Sequence, residues 1–240
     1  MTDSGDETDK ESLKEKFMES DVAGLAIISV AVLGGGVLLY GLVSSASQID
    51  GDAASEITVE GSPVMGDEDA DVTIAYFGDY SCPLCSRYDQ NTFPDLQEQL
   101  IETGEVQYVK KNLPVVTDQS EQLAVASAEV WSQVGDSNPE QFWDWHEAMF
   151  TTQRAERPVW TASQITDVTE TVDGIDAEEV EAAIDEERHI EKVNQELSEA
   201  EAVGAGSTPS FVIYSEEDSE LLSGTQPINR FEDAVEQVQP

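Results

Sequence analysis

Apolar and polar positions follow three different rhythms along this chain. From Val22 to Val43 the run VAGLAIISVAVLGGGVLLYGLV carries no charged residue. As a helix it would reach roughly 33 Å, against about 30 Å of bilayer hydrocarbon. The pattern therefore predicts one transmembrane helix. Lys10, Lys14 and Lys16 precede it, and no Lys or Arg follows before Arg87. The positive-inside rule then makes residues 1–21 a cytoplasmic tail and 22–43 a single-pass anchor, with the rest of the chain extracellular. A cleaved signal peptide is the rival reading, since VSSAS could serve a peptidase, but signal cores run only about 7–15 residues. Residues 44–61 are small, polar and acidic, which suits a solvated tether.

From about Ser62 the rhythm is that of a folded domain. VTIAYF (72–77), VQYVKKNL (106–113) and FVIY (211–214) are short runs rich in β-branched and aromatic residues and read as buried strands. ELLSG (220–224) is expected to pair with the third as a hairpin across the acidic turn SEEDS. Between them lie helical patterns: Leu84 to about Thr103, a long block from Ser120 to Val203, and Ile228 to Val238. This order predicts an α/β domain over 62–240 with a helical insertion at about 117–205. Within the insertion, LAVASAEVW and FWDWHEAMF have amphipathic spacing, so their aromatics are expected in the core with His146 packed among them. His189 reads as a residue of a solvated face. DAEEVEAAIDEE reads as a solvated helix face, because it lacks the ligand spacing of a calcium loop.

Charge narrows the function classes. Lys and Arg total 11 against 51 Asp and Glu, a formal net charge of -40, so nucleic acid is not expected as a partner. At 39% hydrophobic residues the chain still has material for an ordinary core. An acidic excess spread over nearly every segment fits a halophilic surface, where the Debye length falls to about 3 Å at 1 M salt.

The chemistry is concentrated in YFGDYSCPLCSRYD, which holds both cysteines of the chain, Cys82 and Cys85. They could be a structural disulfide, half a metal site or a redox pair. His146 and His189 match no metal-ligand spacing with them, so no metal is expected. A bridge over so short a loop gains little closure entropy, so a purely stabilising disulfide is also weak. If VTIAYF ends a strand and a helix begins here, Cys82 lies at the helix N-terminus and Pro83 takes its first-turn position. Unpaired N–H groups and the helix dipole there favour a thiolate and lower the pKa to about 3.5–7.5. Cys85, one turn on, would share the face and be more shielded, as a resolving thiol requires. Far downstream, STPSFVIY places Thr208-Pro209 just before a strand, where a proline can be cis.

With these segments in order, the domain resembles the DsbA-like branch of the thioredoxin superfamily, a thioredoxin fold interrupted by a helical insertion. The resemblance spans most of 62–240 and rests on PVMGDEDADVTIAYFGDYSCPLC, FWDWHEAMF and AVGAGSTPSFVIY. It implies that Cys82 attacks and Cys85 resolves, that Thr208 and Pro209 form a cis-proline loop beside the dithiol, and that no cofactor is needed beyond a redox-active Cys82–Cys85 disulfide. Two departures bear on mechanism. Leu84 lies where the strong oxidants of the family carry histidine, which implies a less oxidising pair. Tyr76 lies where many thioredoxin-fold enzymes have a proton-moving carboxylate, so that role is absent, taken by water or supplied by Asp79. Asp79 and Asp89 would raise the cysteine pKa if their charges reached it.

The expected function is that of an extracytoplasmic, membrane-anchored oxidoreductase that exchanges its disulfide with cysteines of exported polypeptides, in the oxidising direction, with a membrane redox partner. Reduction of external disulfides, as in cytochrome maturation, and a tethered polypeptide-binding chaperone without chemistry are the alternatives. A dimeric isomerase would need a dimerisation domain that the short tether has no room for.

Overall fold

A computed structural model describes residues 47–48, 53–156 and 159–240; the expected tail and anchor at 1–43 lie outside them. Among the described residues no helix is long and apolar enough to cross a membrane. Among the described residues the sheet has six strands: β1 (Ser47–Gln48), β2 (Val64–Gly66), β3 (Val72–Gly78), β4 (Val106–Asn112), β5 (Ser210–Tyr214) and β6 (Ser219–Ser223), in the order β1-β6-β5-β3-β4-β2. Only β3 and β4 run parallel; every other neighbour pair is antiparallel. The expected hairpin is present, with Val212 opposite Leu221.

The period-2 pattern of the strands explains why the sheet is covered twice. On β3, Ile74 and Tyr76 point into a large core with Tyr88, Tyr108, Phe211 and Phe231. Ala75 and Phe77 point to the other face, with Val212, Leu197 and Ala200. After α1 (Ala53–Glu56), the dithiol segment opens α2 (Pro83–Asn91), which continues through α3 (Phe93–Leu96) into a π-helical turn at Gln97–Ile101. The predicted continuous helix from Leu84 is thus broken near Thr92, where Pro94 follows two residues on and removes an N–H from the ladder. The insertion divides into α4 (Ser120–Val134), α5 (Glu140–Glu156), α6 (Ala162–Thr169), α7 (Ala177–Asp185) and α8 (Ile190–Ala202), and α9 (Ile228–Val238) ends the fold. On α7 the acidic run is the solvated face: Val180 and Ala183 are buried while Glu178, Glu179 and Glu181 are exposed.

Two expectations are corrected. The segment 44–61 is not solvated throughout, since β1 pairs with β6 and Ala53 and Ile57 are buried against the second core. Apolar side chains spaced four apart, even in an acidic stretch, can lie on one covered face. His189 is half-buried rather than fully solvated. It precedes α8 with φ at 63°, and its Nε2 lies 2.8 Å from Glu129 Oε2 of α4.

Two of the cations are turned inward. Lys110 and Lys111, adjacent on β4, are fully buried on opposite faces of the sheet. Lys111 Nζ pairs with Glu199 of α8 at 2.8 Å and donates to the Thr58 carbonyl and to Ser62 Oγ. Glu196, also of α8, accepts from the Asn112 backbone N–H at 3.1 Å and from its side-chain amide at 2.8 Å. These contacts tie α8, β4 and the segment before β2 together.

Candidate functional site

β3 ends at Gly78 and the chain turns through Asp79-Tyr80-Ser81 into α2. Cys82 is the N-cap of this helix, with extended backbone (φ -80°, ψ 118°), and Pro83 follows at its start. An N-cap side chain meets the orphan N–H groups of the first turn. Here the Cys85 N–H donates to Cys82 Sγ at 3.2 Å. From the other side the Thr208-Pro209 peptide is cis, and the Thr208 carbonyl accepts from the Cys82 thiol at 3.4 Å. The Gly224 N–H donates to the Pro209 carbonyl at 2.8 Å and fixes that loop to the end of β6. Cys82, Pro83, Cys85, Thr208 and Pro209 therefore meet at one place although 126 residues separate Cys82 from Thr208.

The two thiols are both free and differ in acidity. The Cys82 pKa is lowered to about 7, first by the Cys85 thiol, which donates to its sulfur, then against a burial penalty by Thr208 and the N–H groups of Cys85 and Leu84. The sequence assigns this shift to the helix end. In the structure the partner thiol comes first and the amides after it. Burial pushes the Cys85 thiol well above its ordinary value, and its neighbour Cys82 raises it further. Cys85 thus holds its proton while Cys82 is about half ionised at neutral pH, against about 3% for an unperturbed cysteine. Alkylation of the reduced protein is expected to titrate with a midpoint near pH 7. Because the thiolate is the reactive form and its folded pKa is depressed, the rate falls about tenfold per unit as pH drops below that value. A stopped-flow alkylation profile with its midpoint at the value of free cysteine would contradict this assignment.

Asp79 does not serve as a free proton carrier. Its carboxylate accepts from the Ser81 N–H at 2.8 Å and from those of Val115 and Val116 at 3.1 and 3.0 Å. It pins the 114–117 loop to the dithiol turn, and burial raises its pKa. The group facing Cys85 is Tyr76. Its hydroxyl is buried without a partner of full hydrogen-bond geometry and lies against the Cys85 thiol, which with burial raises the phenol pKa. Gly78 makes room for it, since a Cβ there would lie 2.3 Å from the Tyr76 hydroxyl. Lys110 adds a buried cation: burial lowers its pKa to about 8, while the charges of Glu196, Asp79 and Cys85 favour its ionised form.

His146 is in the core as expected, edge-on to Tyr80, Trp143 and Phe150. It also does something the aromatic spacing does not reveal. Its Nδ1 lies 2.8 Å from the Tyr80 hydroxyl and its Nε2 3.1 Å from Asp89 Oδ1. One ring of α5 thereby bridges the residue two before Cys82 and the residue four after Cys85. Ser86 Oγ and Gln90 Nε2 donate to the Phe150 carbonyl, and Gln153 Nε2 donates to the Ser81 carbonyl, so the same helix holds both ends of the dithiol segment. Among the described residues no cluster of His, Cys, Asp and Glu is arranged to hold a metal.

A thioredoxin sheet, an inserted helical layer and an asymmetric dithiol against a cis-proline loop define a protein-disulfide oxidoreductase. A family model described as Thioredoxin matches residues 58–236, and the chain belongs to that family. Its relatives sharpen the class. Over 164 residues, 68% of this chain and 72% of the relative, it is 30% identical to the disulfide bond formation protein D of Bacillus subtilis (strain 168). The crystal structure of oxidised BdbD from Bacillus subtilis is similar with a TM-score of 0.66 at 26% identity, covering 75% of this chain and 94% of that one. Chlamydia trachomatis DsbA shares the fold, with a TM-score of 0.65 at 19% identity over 76% and 93% of the two chains.

Proposed function

We propose that this protein donates disulfides to exported polypeptides outside the cytoplasm, held at the membrane through residues 22–43 and kept oxidised by a membrane redox partner. The observation that carries the reading is the asymmetry of the pair: Cys82 is acidic and Cys85 is not. In the oxidised protein a substrate thiolate attacks Cys82 Sγ. The Cys82–Cys85 bond breaks, and its electron pair goes to Cys85, whose sulfur faces the Tyr76 hydroxyl and the field of Lys110 and takes up a proton. The second substrate thiolate then attacks the substrate sulfur of the mixed disulfide and expels Cys82 as a comparatively stable thiolate. The substrate loses two electrons and the pair gains them. Pro83 sets the helix start that presents Cys82, and Thr208 and Pro209 hold the approaching chain beside it. The relatives named for disulfide bond formation support this direction, and an oxidising compartment is where such bonds persist. The strongly acidic surface supports work in concentrated salt.

Equilibration with glutathione tests the direction. The potential is expected on the oxidising side of thioredoxin, above about -270 mV, and below the value of about -120 mV of the strongest oxidant, since Leu84 offers the thiolate no charge. A value at or below that of thioredoxin would make the protein a reductant of external disulfides.

A further inference from the structure

Among the described residues the exposed large hydrophobic side chains are Leu84, Val116 and Val159. Leu84 and Val116 border the dithiol turn. Leu84 stands on the first turn of α2; Val116 is on the loop held by Asp79, whose next residue, Thr117, donates to Ser81 Oγ at 3.0 Å. The rim of the site is therefore apolar in a molecule whose surface is otherwise acidic.

Arg87 is the cation of that rim. It is exposed on α2, three residues from Leu84 and so on the same side of the helix. The other cations with described side chains are engaged. Lys111 pairs with Glu199, Lys192 with Glu196, Arg188 with Glu179 and Glu186, and Arg230 with Glu220. Lys110 is buried and donates to Asn112 and Ser127. Arg87 has no ion-pair partner among the described residues, and its i±3 and i±4 neighbours Pro83, Leu84, Gln90 and Asn91 carry no charge. In a chain with 51 acidic residues and 11 basic ones, this free guanidinium stands on the dithiol helix, five residues after Cys82.

We propose that Arg87 is a specificity-determining residue, which selects cysteine segments carrying a carboxylate near the reacting thiol, with Leu84 covering an aliphatic neighbour. The inference rests on the reading that Cys82 exchanges disulfides with polypeptides. Charge complementarity carries it. The field of a chain at -40 repels an acidic substrate at long range, and Arg87 reverses the sign at contact, where a guanidinium meets a carboxylate in a two-pronged pair.

The test uses oxidised protein and three cysteine peptides differing only in Asp, Asn or Lys beside the cysteine. Rates are normalised to each peptide's reaction with a small neutral disulfide, which removes differences in thiol acidity. At 1 M salt, where the Debye length is about 3 Å, long-range steering is screened and contact pairs remain. The Asp peptide is expected to react about threefold faster than the Lys peptide, the size of an exposed ion pair. R87Q should bring the ratio to one and Arg87→Glu should invert it, with unchanged circular dichroism in both. An Asp-to-Lys ratio that is the same in all three proteins would overturn the inference while leaving disulfide exchange intact. Exchange with none of the peptides would overturn the function proposed above, and this inference with it.

Discussion

Cys85→Ser is expected to convert the protein into a covalent trap. Its Cys82 retains the Thr208 contact and the N–H of residue 85, but it has no internal thiol to release a bound partner. Mixed disulfides through Cys82 should then accumulate and run as adducts on a non-reducing gel, vanishing with reductant. Cys82→Ser should form none, because Cys85 is fully buried and its pKa is pushed up, and disulfide exchange should fall to the rate without added protein. The result that excludes the chemistry is a double absence: no adducts in the first variant and, in the parent, no exchange above the rate without added protein. A chaperone that uses the cysteines only as a staple would give that pattern.

The largest stability effect is expected at Lys111→Met. The side chain is buried, and its removal leaves Glu199 without a cation and takes one donor each from Ser62 Oγ and the Thr58 carbonyl, which keep Lys192 Nζ and Ser62 Oγ respectively. Removing one member of a buried pair costs about 3–5 kcal/mol, because the remaining charge stays desolvated. Pairing Lys111→Met with Glu199→Leu should recover most of that loss. Urea unfolding of the two variants and the parent measures both quantities. A loss under about 1 kcal/mol in the single variant would show that water reaches Glu199 and that the junction between α8 and β4 is open.

Strands were the most legible part of the fold. VTIAYF, FVIY and ELLSG lie within a residue of their observed bounds because a run buried on both faces shows itself as unbroken apolar character. The same rule hides Lys110 and Lys111: two adjacent lysines in a strand look like an edge, and only the carboxylates and hydroxyls brought by α4 and α8 allow both to be buried. β2 has three residues and β1 two, too short for any periodicity to appear. At the site, spacing and chain order pointed to Cys82, Cys85, Thr208 and Pro209, since a helix start and a strand start are local features. The parts that were hidden are long-range. Tyr80 and Asp89 look like ordinary neighbours of a dithiol until His146, more than fifty residues away, joins them. Tyr76 at Cys85 depends on the bare Cα of Gly78, a steric relation no pattern of apolarity encodes.

The His146 bridge has a mechanical meaning. Its two partners belong to the sheet-and-dithiol unit and the ring belongs to the inserted layer, so the layers cannot swing apart near the sulfurs without rupturing both buried bonds. The joint beneath the reactive centre is a weld. On the function proposed above, the incoming polypeptide is the partner that bends, which favours unfolded clients over finished ones.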